Sequence, residues 1–369
     1  MSPTVRSLLR DTGSAWRPST KLCPNLYDKT HYVVNYRCLQ FYVSHGLQVV
    51  KIHSIISFTQ RPFMRPFIEY CNERRKTACG DFEVGLYKLF ANAFFGKTCE
   101  NVRNRENLRL IADPNKLVKA ASKATFRRSE IINDDLVLVR AARPKVMLNK
   151  PIAIGFTILE ISKLIMYEFF YDCLKPKYGD KIHLCFTDTD SLICHIETPD
   201  LHADMLENAD WFDTSNFRPE HPLFSMVNKR VLGKFKSETA DHASFEFCGL
   251  RSKMYSLYTP SSDSTNSYRK AKGVPKSHVK KNVRHEDYLR VLNQRSQTSC
   301  KFRSFRSHRH VVTTREMTKK CLSCIDDKRF LLDDNIHSLA YGHRDTVGRL
   351  PARTPSSPQW AERGVRTLI

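Results

Sequence analysis

Phe186-Thr187-Asp188-Thr189-Asp190-Ser191 lies between two apolar runs, Ile182 to Phe186 and Leu192 to Ile196. Apolar runs on either side of a polar pentapeptide read as the arms of a β-hairpin, with Asp188 in its turn. Carboxylates two residues apart on an extended strand point to one side, so Asp188 and Asp190 could reach one divalent cation. An oxygen-only pair suits Mg²⁺, which keeps several waters and shares the phosphates of a substrate. The chemistry this spacing points to is two-metal phosphoryl or nucleotidyl transfer. Asp-x-Asp is also ordinary turn chemistry, and the pair alone leaves both readings open.

Upstream, Lys88, Asn92, Phe95 and Gly96 recur at i, i+4, i+7 and i+8, which is one face of a helix. A lysine ammonium there can hold a triphosphate as a point charge. A flat aromatic ring further along can lie against a base, and a glycine beside it permits close approach. An ordinary amphipathic helix would account for Leu86, Leu89, Phe90 and Phe94 as core, but not for the lysine, asparagine and glycine.

At these residues the chain resembles the B-family DNA polymerases of the protein-primed type, above all those of self-synthesising (Maverick or Polinton) transposons and related large DNA viruses. Lys88-Leu-Phe-Ala-Asn92-Ala93-Phe-Phe95-Gly96 resembles motif B, Lys-x-x-x-Asn-Ser-x-Tyr-Gly, and Thr187-Asp188-Thr189-Asp190-Ser191 resembles motif C. Lys253-Met254-Tyr255 is similar to the Lys-x-Tyr element that handles the primer end. Softer matches are Phe212-Asp213-Thr214-Ser215, Gly233-Lys234-Phe235-Lys236 and Asp326-Asp327-Lys328-Arg329-Phe330, and the similarity runs from about Lys21 to His343. The resemblance implies a mixed α/β right hand: an antiparallel palm sheet, a helical fingers insertion and a C-terminal thumb. It implies template-directed addition of deoxynucleotides to a primer 3′-hydroxyl. Asp188 and Asp190 would be the catalytic, metal-holding carboxylates, with two Mg²⁺ ions about 3.5 to 4 Å apart. Lys88 and Arg75 would bind the triphosphate, and Asn92, Phe95 and Gly96 would shape the nucleotide pocket. Lys253, Tyr255, Lys270 and Lys272 would hold primer and DNA. The implied partners are primer–template DNA, dNTPs and a terminal priming protein; the compartment would be intracellular, and nuclear for a eukaryotic element.

The sequence departs from the family pattern in three places. Ala93 stands for the usual serine. Phe95 stands for the usual tyrosine, keeping the ring that excludes a ribose 2′-hydroxyl but not its hydrogen bond. Motif A, Asp-x-x-Ser-Leu-Tyr-Pro, which carries the opposing metal-binding aspartate, does not occur. Asp11 lies in a polar, unpatterned stretch, and Pro24-Asn-Leu-Tyr-Asp28-Lys29 resembles the segment that follows motif A. Asp81-Phe-Glu83 mimics an exonuclease signature but opens the motif B helix, where acids favour the N-terminus. The expectation is therefore the C-terminal part of a polymerase, a truncated copy with an incomplete two-metal site that binds primer–template and dNTP but does not extend a primer alone.

The 369 residues carry 60 Lys and Arg against 38 Asp and Glu, a formal charge of +22, which favours a polyanionic partner. No charge-free run is long enough for a membrane span, and the N-terminus has no apolar signal core. Twelve cysteines without a disulfide rhythm suit a reducing compartment. Cys321-Leu-Ser-Cys324, with Cys300, His308 and His310, is the nearest approach to a zinc site, on a spacing that fits no regular zinc module.

Along the chain, residues 1–20 are expected to be a disordered extension, 21–70 partial palm, and 71–150 fingers with a motif B helix over 81–96. Residues 151–268 are expected as palm: a helix from Pro151 to about Leu174 ended by Pro176, the motif C hairpin, and a strand pair within 231–258 with Lys253 and Tyr255 on one face. A Ser- and Thr-rich loop covers 260–268, a basic thumb 269–345, and a disordered tail 346–369. Between Arg269 and His310 there are 13 Lys or Arg against two acids, with Tyr288, Phe302 and Phe305 interleaved, which suits duplex backbone contact. Two alternatives stay open: a non-catalytic nucleic-acid-binding relic of a mobile element, and a zinc-dependent DNA-binding module.

Overall fold

The computed structural model describes residues 23–239, 246–258, 268–308, 311–332 and 337–346, with the backbone alone at Asn104, His308 and Val311. The expected N-terminal extension, the Ser- and Thr-rich loop up to residue 267, the tail beyond Thr346, and Asp11 and His310 lie outside the described residues. The chain is mixed α/β with antiparallel sheets, and it divides into two compact units. The first comprises 1–55, 163–302 and 317–369; the second comprises 56–162 and 303–316. No helix among the described residues is long and apolar enough to cross a membrane.

In the first unit, Ile182–Thr187 and Leu192–Ile196 pair as the antiparallel hairpin that the apolar flanks predict. Leu184 faces Cys194 and Phe186 faces Ile193, so Cys185 is an extra residue, a β-bulge. A bulge of this kind bends its strand and sharpens the local twist. A second sheet has Met254–Tyr258 between Glu246–Arg251 and Tyr268–Ala271. Pleat alternation decides its faces. Met254 and Ser256 are fully buried, and Tyr255 between them points to the opposite face.

The buried face packs on helices Lys276–Asn282 and His285–Asn293 and on the Gln297–His308 and Val311–Ser323 strands. Met254, Tyr288, Val291, Cys321 and Leu322 form one cluster there. Each such side chain contributes roughly 1.5–3 kcal/mol by leaving water. This core corrects the division expected at 268/269. The basic strand Tyr268–Ala271 completes the sheet that carries Tyr255, and Arg303–Glu316 of the expected thumb belong to the second unit.

The long helix also differs from expectation. It is α-helical over Ile152–Tyr167, widens to a π-helix over Glu168–Leu174, and closes with Lys175–Tyr178. Pro176 does not end it: the proline sits in the first turn of the last segment, where a missing N–H costs nothing, and the chain leaves at Gly179 with φ +57°. The widened part carries Phe169, which stacks on Phe235 at 3.9 Å between centroids and meets Trp211 and Phe212 edge-on or tilted.

In the second unit, helices Arg65–Thr77 and Asp81–Thr98 pack through Phe67 on Phe94 (5.4 Å) and Tyr70 on Tyr87 (6.1 Å). Asp81 and Glu83 lie in the first turn of the second helix, where their charge is favoured. That helix passes through Gly96 and ends two residues later than the motif predicts. Its end is tied to the start of Ile152–Tyr167: a Cβ on Gly155 would stand 2.0 Å from Cys99 Sγ, so only glycine fits. Between these helices the chain makes a three-stranded sheet, Asn107–Ile111, Leu136–Ala141 and Phe126–Asn133 in spatial order, with helix Pro114–Ala121 against it. Asp113 caps that helix, its Oδ1 accepting from the Asn115 and Lys116 N–H groups.

Candidate active site

Asp188 and Asp190 lie in the tight turn between the hairpin strands, outside both of them. The strand geometry assumed from sequence, with alternate side chains on one face, therefore does not govern them. The turn has its own bonds. Asp188 N–H donates to Ser191 O (3.1 Å), Asp190 N–H donates to Asp188 O (2.7 Å), and the Ser191 hydroxyl donates to Asp188 O (3.4 Å). Between the two aspartates Thr189 has φ +62°. A β-branched residue rarely adopts that conformation, and it costs about 1–2 kcal/mol.

Lys253 is likewise in a turn rather than in a strand. Arg251 pairs with Met254, leaving Ser252-Lys253 as a two-residue connection, and Lys253 has φ +58°. From there its Nζ reaches Asp188 Oδ2 at 3.2 Å. Tyr255 follows on the sheet face away from the core, and its ring meets Phe186, the last aromatic before the Asp turn, at 4.7 Å. Burial raises the Tyr255 phenol above its ordinary range, and the carboxylates of Asp188 and Glu238 add to that. The group is therefore a hydrogen-bond donor at neutral pH. Lys270 lies directly across the ladder from Tyr255 and is exposed. Lys272 follows in the turn that ends at Gly273, φ +90°. One end of the first unit thus gathers Asp188, Lys253, Tyr255 and Lys270, residues far apart in sequence. Sequence reasoning missed the Phe186 contact; an aromatic two residues before the first aspartate was the available signal.

Two of the three soft matches also converge. Phe212 and Phe235 form a parallel bridge, with Asp213 N–H donating to Phe235 O (2.7 Å) and Phe235 N–H to Trp211 O (2.8 Å). Asp213 is buried. Burial works to raise its carboxyl, but the Ser215 hydroxyl, the Arg230 and Ser215 N–H groups and Lys236 outweigh it and hold it below the usual carboxylate range. Lys236 Nζ stands 3.4 Å from Asp213 Oδ2.

The residues that resemble motif B belong to the second unit. Lys88, Asn92 and Gly96 are exposed along one face of the Asp81–Thr98 helix, and Phe95 beside them is half-buried. A Cβ on Gly96 would meet nothing within 4 Å, so the space above this face is open. Leu89, Phe90 and Phe94 are also substantially exposed, which disfavours the ordinary amphipathic helix with those residues as core. Arg75 is half-buried near the end of the preceding helix, and its Nε is buried without a hydrogen-bond partner.

Two carboxylates on one exposed turn fit a share of a Mg²⁺ shell, since that ion takes one or two carboxylates and fills the rest with water and phosphate. No group of three or more His, Cys, Asp or Glu placed to hold a metal occurs among the described residues. Cys300, Cys321 and Cys324 sit in the hydrophobic core. Burial, with Cys300 beside it, pushes the Cys321 thiol up to about 12, and burial raises that of Cys324. Such thiols behave as small apolar side chains.

No family model, no curated protein and no solved structure matches this chain.

Proposed function

We propose that the chain carries part of the nucleotidyl-transfer site of a DNA-directed DNA polymerase resembling the protein-primed B family. The observation that carries this reading is the meeting of two motifs at one place: the Asp188 carboxylate against the Lys253 ammonium, with Tyr255 and Lys270 beside it. The exposed Lys88–Asn92–Gly96 face is a second, separate support.

Each residue has a task in that chemistry. Lys253 and Lys270 offer cations to the phosphates of the primer strand, and the protonated Tyr255 phenol donates to a phosphate or sugar oxygen. Together they would fix the primer end over Asp188, and such positioning is a large part of catalysis. Lys88 would neutralise the triphosphate, while Asn92 and Phe95 would bound the base and sugar. Asp188 and Asp190 are the residues that would hold Mg²⁺, which when bound neutralises charge on the polyphosphate. In the reaction the 3′-oxygen bonds to the α-phosphorus, the bond to pyrophosphate breaks, and the hydroxyl proton is released.

A second reading, nucleic-acid binding without catalysis, is favoured by the lack of a third carboxylate grouped with Asp188 and Asp190 among the described residues. The test is nucleotide-dependent retention of primer–template by residues 1–369 in Mg²⁺. The expected result is retention that requires the dNTP complementary to the template and falls at least tenfold in Asp188→Asn. Retention indifferent to the nucleotide and to Asp188 would leave the binding protein as the reading.

A further inference from the structure

Arg109, Leu110 and Ile111 of the Asn107–Ile111 strand, with Lys116, Lys119, Ala120 and Lys123 of the helix and the turn after it, line a cavity of about 470 Å³. Lys116 and Lys119 lie at i and i+3 on the helix and Lys123 follows in the turn after it, so helix and turn together supply three ammonium groups. The strand supplies a guanidinium opposite them. All four cations are exposed. Asp113 approaches Lys116 at 3.9 Å, a weak surface pair, and no carboxylate lines the cavity. Four like charges around one concavity repel each other, and an anion in it relieves that repulsion.

The lining also says which anion. It contains no aromatic ring to stack a base and no carboxylate or amide to read a base edge or a ribose hydroxyl. What it recognises is phosphate. The aliphatic floor of Leu110, Ile111 and Ala120 can take the apolar side of a sugar–phosphate chain. A concavity of this size is in the range of small-ligand sites, about 300–1,000 Å³, which suits a flexible single strand rather than the rigid width of a duplex. Exposed lysines beside an edge strand can also serve only to discourage sheet-to-sheet pairing. Here, however, they converge on one cavity with the strand's own arginine.

We propose that this cavity is a sequence-independent site for the phosphodiester backbone of single-stranded nucleic acid. It uses none of the residues assigned to nucleotidyl transfer, so it stands or falls separately from that reading.

The experiment is lysine footprinting of residues 1–369 by acetylation and mass spectrometry, with oligothymidylate, with inorganic tripolyphosphate, or with neither. The expected result is that oligothymidylate slows acetylation of Lys116, Lys119 and Lys123 at least threefold, and that high salt abolishes the effect. In parallel, the variant Arg109→Gln/Lys116→Gln/Lys119→Gln/Lys123→Gln should lower the log–log salt slope of oligothymidylate binding by about 3, near 0.7 for each phosphate lost. Unchanged acetylation of these three lysines while others are protected would overturn the site. Protection by tripolyphosphate but not by oligothymidylate would overturn the single strand as its occupant.

Discussion

Lys253 Nζ stands 3.2 Å from Asp188 Oδ2, the tip of one hairpin against the tip of another. Both side chains are partly exposed, 55% and 32% respectively, so the ion pair itself contributes no more than about 1 kcal/mol to stability. The backbone at Lys253, with φ +58°, costs about as much as the pair returns. Stability therefore does not explain a lysine at this position.

Lys253→Gly is expected to leave the unfolding free energy within about 1 kcal/mol of wild type, because relief of the positive φ offsets the lost ion pair. The same variant is expected to weaken primer–template retention by at least tenfold. A larger loss, read from the urea midpoint, would show that the pair, and not the turn, governs this hairpin.

Asp213 predicts a pH dependence. Its folded carboxyl lies below its ordinary value, so its contribution is complete above the unfolded value, about 3.9, and is lost as pH falls through the folded one. Asp213→Asn is expected to cost about 1–3 kcal/mol at neutral pH, with the gap from wild type closing below about pH 4. Urea titrations at several pH values read this directly, and a gap that persists into strong acid would contradict it.

His285, Ser256 and Glu246 form a line. His285 Nδ1 is 2.9 Å from the Ser256 hydroxyl, and its Nε2 is 3.2 Å from Glu246 Oε2. The composition mimics a hydrolase triad, but Ser256 is fully buried and out of reach of any substrate. The line is structural. His285→Ala should cost about 1–3 kcal/mol by leaving the Ser256 hydroxyl without its partner. Ser256→Ala made together with it should cost less than the two changes summed, which a double-mutant cycle measures.

For duplex DNA, the basic segment 269–310 should bind with little sequence preference, since phosphate contacts carry no base information. Six phosphate contacts give a log–log salt slope near −5. Fluorescence anisotropy across salt concentrations checks this, and a flat response would refute the electrostatic origin of binding.

The hairpin around Asp188 was legible because its arms are apolar and its turn is polar, a contrast that survives without any alignment. The helix expected over 81–96 was legible through the i, i+4 and i+8 spacing of Lys88, Asn92 and Gly96, and it spans Asp81–Thr98. Lys253 was misplaced into a strand because nothing in Arg-Ser-Lys-Met marks a positive φ as glycine would. Arg269 to Ala271 were read as the start of a basic thumb because two of these three residues are cationic, although Ala271 closes the sheet's core. Pro176 was read as a stop because a π-helix, which lets the chain restart in a new short segment, leaves no trace in the pattern. The cationic cavity escaped notice because it joins a strand to a helix, and its lysines look like ordinary surface charge when read one at a time.

Cys185 has a meaning apart from its chemistry. Removing that residue would leave every cross-strand partnership of the hairpin intact, from Ile182 with Ile196 to Thr187 with Leu192. What would change is the torsion of the ribbon, and with it the direction in which the turn projects its acidic groups. The aim of the carboxylates is thus stored in a count of residues and not in the identity of any of them. Alanine or serine at position 185 would preserve that aim, whereas a deletion of a single codon there would redirect it without disturbing a single pair.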